Sequence, residues 1–151
     1  MTETRISKDR ILHACEIKQQ LIISDFEQEV QNIRSEITNH EETGSQEYRG
    51  SAERNEMLVR LEHELFFLNN EQITLESIDP DKICDTVEPG AVVVTDQRIF
   101  FVSTSVDLVE VNGQSLFGIS TKAPVYQVMK GHKVGESFEF GGVRYQILDL
   151  Y

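Results

Sequence analysis

No glycine or proline occurs between Met1 and Thr43, and this run ends in a short acidic segment punctuated by two glycines, His40 to Ser51 (HEETGSQEYRGS). A breaker-free run of that length reads as one long helix. Ser7 supplies a cap, and Asp9 lies in the first turn, where the helix dipole favours an acid. Apolar residues recur at Ile11, Cys15, Ile22, Phe26, Val30, Ile33 and Ile37. From Ile22 onward they are spaced three or four apart, one stripe along a helix. A helix from Ser7 to Glu42 would be roughly 50 Å long.

The chain then repeats the pattern. Leu58, Leu61, Leu65, Leu68, Gln72 and Leu75 form a heptad seam with one polar member. Phe66, Phe67 and Ile73 widen the apolar face near its C-terminal end. That widening predicts packing on something beyond the partner helix. The pattern stops at Ile78-Asp79-Pro80, because proline ends a helix. Two seams of similar length joined by a short polar segment predict an antiparallel coiled-coil hairpin with its tip at 40–51. A parallel homodimer would instead need one helix through Gly44 and Gly50, at a cost of about 1 kcal/mol each. Gly44 suits the position just past a helix. Thr43 with Gln46, or Ser51 ahead of Glu53, can cap the second helix.

Past Pro80 the period changes. Ala91–Thr95 and Arg98–Ser103 are β-branched and aromatic runs around Asp96-Gln97, a hairpin signal. Val106–Val111 alternates, and Asn112-Gly113 is a type I′ turn signal. A strand through Phe117–Ser120 follows. Ala123–Met129 reads as a short helix with Pro124 in its first turn and Gly131 just past its end. Ser137–Phe140, Gly141-Gly142 and Val143–Leu148 close the chain as a hairpin. Val125, Tyr126, Val128, Phe117, Phe138 and Phe140 read as core. The expected class is α+β: the coiled-coil hairpin at 1–79, then an antiparallel sheet with one short helix at 80–151.

Charge narrows the function. The net charge is −12, and residues 1–79 hold 17 acids against 8 bases. A chain this acidic is a poor non-specific binder of nucleic acid, whose phosphates need clustered lysine and arginine. An acidic helical hairpin suits a basic protein groove or a metal ion. No apolar run approaches the roughly 18 residues of a membrane span, and MTETRISKDR lacks the apolar core of a signal peptide. Two widely separated cysteines, Cys15 and Cys84, read as reduced thiols in a cytoplasmic protein. Glu62-His63-Glu64 lacks the spacing of a helical zinc motif, and no phosphate-cradling loop or nucleophile elbow is present. The chain is expected to be no enzyme by itself.

The closing segment carries a resemblance. Ile119-Ser-Thr-Lys-Ala-Pro124, Met129-Lys-Gly-His-Lys-Val-Gly-Glu136 and Tyr145-Gln-Ile-Leu148 resemble the C-terminal domain of the Gre family of bacterial transcription elongation factors. Departures from that family's pattern are Ala123 for serine, Met129-Lys130 before the glycine, His132 for lysine and Glu136 for aspartate. Gre factors join an N-terminal antiparallel coiled coil to an FKBP-like domain, the layout that periodicity suggests here. The resemblance implies RNA polymerase as partner, with nascent RNA and DNA met only through that complex. It implies docking at the rim of the polymerase secondary channel, with the coiled coil reaching toward the catalytic centre. Two tip acids would then help hold a second Mg²⁺, shared with the polymerase, and position the water that cleaves a backtracked transcript. No tightly bound cofactor, no membrane contact and a monomeric state are expected.

The family's tip motif has its functional acids three residues apart. Aligning Glu47-Tyr48 on its final Glu-Tyr puts Glu41 on the aspartate and Gly44 on the glutamate. Aligning from Ile78-Asp79 puts Gly44 on the aspartate and Glu47 on the glutamate. Either register keeps one acid. Three readings follow: Mg²⁺ held by Glu41, Glu42 or Glu47 in another geometry, entry into the channel without stimulating cleavage, or a merely solvated tip. Lys122, Lys130, His132 and Lys133 form a local basic cluster for an acidic partner surface or RNA, set against ordinary surface lysines. Alternative functions are an FKBP-like prolyl isomerase and a coiled-coil adaptor that does not bind polymerase.

Overall fold

The computed structural model describes residues 5–43 and 48–151, with the side chains of 39–51 outside the description. Two long helices come first, α1 (Lys8–Thr43) and α2 (Tyr48–Glu76). Six strands and a short helix follow: β1 (Val92–Thr95), β2 (Ile99–Ser103), β3 (Asp107–Val111), β4 (Gln114–Ser120), α3 (Pro124–Met129), β5 (Ser137–Phe140) and β6 (Val143–Leu150). The class is α+β, as expected. The chain divides into two compact units, Gln19–Gln72 and the remainder, Met1–Lys18 with Ile73–Tyr151.

In the first of these units the helices run antiparallel. Gln19 on α1 bonds Leu68 on α2, while Arg34 pairs with Glu62 and Glu36 with Arg54, so partners descend in α2 as they ascend in α1. The buried seam of α1 is Gln19, Ile23, Val30, Ile33 and Ile37, with Phe26 half-buried between them. This corrects the sequence reading by one residue, since Ile23 is buried and Ile22 only half-buried. The reason is Gln19, a polar seam member that an apolar pattern misses. It is 1% exposed, and its Nε2 donates to the Leu68 carbonyl at 2.9 Å. Gln19→Ala is therefore expected to cost about 1–3 kcal/mol, for a lost bond and a cavity. Gln19→Leu should stay within about 1 kcal/mol of the parent, because the Leu68 carbonyl keeps its helical partner and a heptad leucine fills the space. Denaturant unfolding of both variants checks this.

Leu58, Leu61, Leu65 and Gln72 are half-buried and Leu68 buried, as the heptad requires. Phe66 and Phe67 are exposed, so the packing expected for them is not found within the unit. The backbone of α2 starts at Tyr48 and includes Gly50 and Ser51. Ser51 thus lies inside the helix and is not its cap.

The second unit is built on a six-stranded sheet ordered β3-β4-β2-β1-β6-β5. One face packs on Ile6 and on the N-terminal turns of α1 through Ile11, Leu12 and Cys15, with Leu75 beside them. The other face carries Val93, Phe100, Val102 and Ile147 against Tyr126 and Met129 of α3 and against Cys84 and Val87. Asn112 and Gly113 have φ of 53° and 78°, the left-handed pair a type I′ turn needs, and Gly141-Gly142 repeat it at 61° and 77°.

The sheet departs from the expected all-antiparallel pairing at one ladder, because β2 and β4 run parallel, Ile99 opposite Leu116 through Ser103 opposite Ser120. The β3–β4 hairpin is displaced outward, so that β4 takes the place beside β2 and β3 becomes the edge. The connection that allows this, Thr104–Val106, passes over Gly118 of β4. A Cβ at Gly118 would lie 2.9 Å from the Thr104 carbonyl oxygen and 3.1 Å from Val106 Cβ. Only a residue without a side chain permits that crossing.

Candidate functional site

The hairpin unit is chemically one-sided. Residues 19–72 hold 12 acids against 4 bases, a balance of −8. Two of its bases are engaged, Arg34 to Glu62 at 2.6 Å and Arg54 to Glu36 at 3.2 Å. Glu41 and Glu42 lie in the last turn of α1, with side chains outside the description, and Glu47 lies outside the described residues. The structure therefore does not place the tip carboxylates with respect to one another. Among the described residues no cluster of three metal-ligating side chains occurs.

The basic residues distribute around α3. Lys122 precedes its N-terminus, and Lys130, His132 and Lys133 follow its C-terminus. Six residues of helix separate the two groups, about 9 Å. The Lys133 amide donates to Glu136 at 2.8 Å, which closes the turn after α3. The His132 ring meets Phe138 edge-on at 6.1 Å, so its position follows from the core beneath it. Tyr126 and Phe138 are buried as expected, whereas Val128 is exposed.

A second cluster had no signal in the sequence. Lys8, in the first turn of α1, is buried, and its Nζ donates to the Lys82 carbonyl at 2.5 Å and lies 3.8 Å from Cys84 Sγ. Burial lowers the Lys8 ammonium below the usual lysine range and raises the Cys84 thiol. Glu88 bonds toward Cys84 and pairs with Lys82 at 3.3 Å, and both contacts hold its carboxyl below the ordinary range. Beside the cluster is a cleft of about 420 Å³ lined by Ile78, Asp79, Lys82, Cys84, Ser103 and Thr121 among others. None of the described residues that line it is aromatic. Residues 74 and more apart in sequence meet here, and no local motif announces such a meeting.

Cys15 behaves differently from Cys84. Burial in the sheet core pushes its thiol up from 9.0 to about 12. A thiol raised on folding contributes stability that is complete below its unfolded pKa and is lost as pH rises toward the folded one. Unfolding free energy is thus expected to fall between about pH 9 and 12. The Cys15→Ala variant should show a shallower fall, measured by urea midpoint against pH.

No membrane-spanning helix is found among the described residues. No family profile matches the chain. No curated protein matches it. Among solved structures it is similar to the crystal structure of GreA factor homolog 1 (Gfh1) of Thermus thermophilus, at 12% identity, 91% of this chain, 95% of that chain and a TM-score of 0.36. A second structure, titled as that of the transcription factor Gfh1, is 14% identical over 91% of this chain and 94% of that one, with a TM-score of 0.35.

Proposed function

We propose that this chain regulates transcription elongation by binding bacterial RNA polymerase and inserting the tip of its helical hairpin into the secondary channel. The observation that carries this reading is the antiparallel α1–α2 pair. Its ladder of contacts runs from Gln19–Leu68 to Glu36–Arg54, toward the end of α1 that bears Glu41 and Glu42 and the following segment that contains Glu47. The Gre-like segments from Ile119 to Leu148 support it by forming the elements the resemblance implies: the end of β4, α3, the 130–136 turn and the β5–β6 hairpin. In this reading the protein acts through the polymerase's own catalytic centre. The tip carboxylates offer the one or two protein oxygens that Mg²⁺ accepts beside phosphate and water. The basic residues around α3, Lys122, Lys130, His132 and Lys133, offer a docking contact to an acidic rim.

The test has two stages. Purified core polymerase should retain the wild-type chain at low salt. Stalled, backtracked complexes should then respond to it in a transcript-cleavage assay, and the Glu41→Ala, Glu42→Ala and Glu47→Ala variants should separate stimulation from mere occupation of the channel. A stimulated rate unchanged in all three variants would remove the carboxylate part of the reading.

A further inference from the structure

We infer that the outer face of α2, around Val59, Phe66 and Phe67, is a docking surface for a protein partner that presents an apolar patch bordered by lysine and arginine. Phe66 is 67% exposed, Val59 67% and Phe67 50%, and all three belong to the hairpin unit. Val59 and Phe66 are seven residues apart, two helical turns, and so stand on one side of α2. That side is opposite the seam formed by Leu61, Leu65 and Leu68, so the helix carries apolar residues on two faces. A helix facing solvent on its outer side is ordinarily polar there, and exposed aromatics grouped on one face mark interaction sites. A shallow groove of about 530 Å³ meets the Val59 end of this face, bordered by Asn55, Glu56, Val59 and Arg60.

Charge selects the occupant. The hairpin unit holds 12 acids and 4 bases. On α2, Glu56 and Arg60 border the groove, while Glu62 is already paired with Arg34 of α1, so the surplus acid charge of the whole unit sets the field there. A second copy of this chain would bring a like-charged hairpin to the same face, which like-charge juxtaposition disfavours. Nucleic acids and anionic membranes are disfavoured on the same ground. A basic rim around an apolar centre complements both features, with Phe66 and Phe67 as aromatic anchors of the kind that dominate interface energetics. This inference does not depend on polymerase being the partner.

The test titrates the full chain with a helical peptide of alternating leucine and lysine faces, and with a twin in which glutamate replaces every lysine. The lysine peptide is expected to bind, with amide shifts concentrated in residues 55–67 of α2 and affinity falling as salt rises. The glutamate twin is expected to bind at least tenfold more weakly. Phe66→Ser with Phe67→Ser should weaken lysine-peptide binding at least tenfold while leaving the circular dichroism and melting curve of the hairpin in place, because both rings are exposed. Equal binding of the two peptides, binding unchanged in the double serine variant, or shifts elsewhere on the chain would each overturn the inference. So would sedimentation showing a dimer that the double variant dissolves, since the occupant would then be a second copy.

Discussion

Tyr151→Ala is expected to lower the unfolding free energy of the sheet-bearing unit by about 3–5 kcal/mol, the range for removing a buried aromatic ring. Tyr151 is buried in the core that also holds Ile11, Leu75, Val92 and Phe101. Its hydroxyl donates to the Ile6 carbonyl at 2.7 Å, and the Arg5 guanidinium lies 4.9 Å over its ring. Its backbone extends the β1–β6 ladder through two bonds with Val92, at 2.7 and 3.1 Å. One side chain therefore fixes the segment leading into α1 to the middle of the sheet. Tyr151→Phe keeps the ring and loses the hydroxyl bond, so about 1 kcal/mol is expected, with a further penalty for the orphaned Ile6 carbonyl if water does not reach it. Arg5 and Asp149 clasp the same corner through two hydrogen bonds at 2.9 and 2.8 Å. Those bonds hold the Asp149 carboxyl below its usual range. A depressed carboxyl stabilises above its unfolded pKa, and that share is lost as pH falls through the folded value. Urea titrations of the two tyrosine variants measure the main effect. Equal, small losses for Ala and Phe would contradict the packing described here.

The second large effect is expected at Gly118. An alanine Cβ there must push the Thr104–Val106 crossing away from β4, because the nearest atom is a backbone oxygen at 2.9 Å and cannot rotate aside. The expected loss is about 1–3 kcal/mol, and more for valine. Gly113→Ala makes a useful contrast. Nothing lies within 4 Å of its Cβ, and the cost there comes from φ of +78° alone. About 1–2 kcal/mol is expected from that strain. Thermal unfolding separates the causes. Asparagine, which tolerates positive φ, should cost less than alanine at position 113 and at least as much as alanine at position 118, where the obstacle is a backbone atom.

These two residues also show what the sequence does and does not disclose. The helical hairpin is legible because its period is local: three-and-four spacing marks each seam, and glycines mark the break between them. The two turns at Asn112-Gly113 and Gly141-Gly142 are legible because left-handed backbone favours those residues. Parallel pairing of β2 with β4 is not legible. Asn112-Gly113 specifies that β3 and β4 form a hairpin, yet nothing in it says which of the two strands lies beside β2. Gly118 carries that information, and it looks like an ordinary strand glycine until the crossing is seen. Gln19 is not legible as a seam residue for a related reason, since an amide is placed in a core by its one acceptor, the Leu68 carbonyl, and not by periodicity. Lys8, Lys82 and Cys84 meet only in three dimensions. Phe66 and Phe67 are legible as an apolar excess on α2, and the structure leaves both exposed. For the tip, the sequence supplies Glu41, Glu42 and Glu47, and their relative placement lies outside the described residues.

The hairpin is proposed to reach the polymerase active centre. This is tested most directly by mapping contact from the tip itself. A cleavage reagent such as chelated iron, attached at Ser45→Cys in a Cys15→Ala, Cys84→Ala background, should generate hydroxyl radicals where the tip sits. Cuts in core polymerase close to its catalytic metal are expected, together with an altered rate of transcript cleavage in backtracked complexes. Retention on polymerase with cuts confined to its outer surface would contradict it.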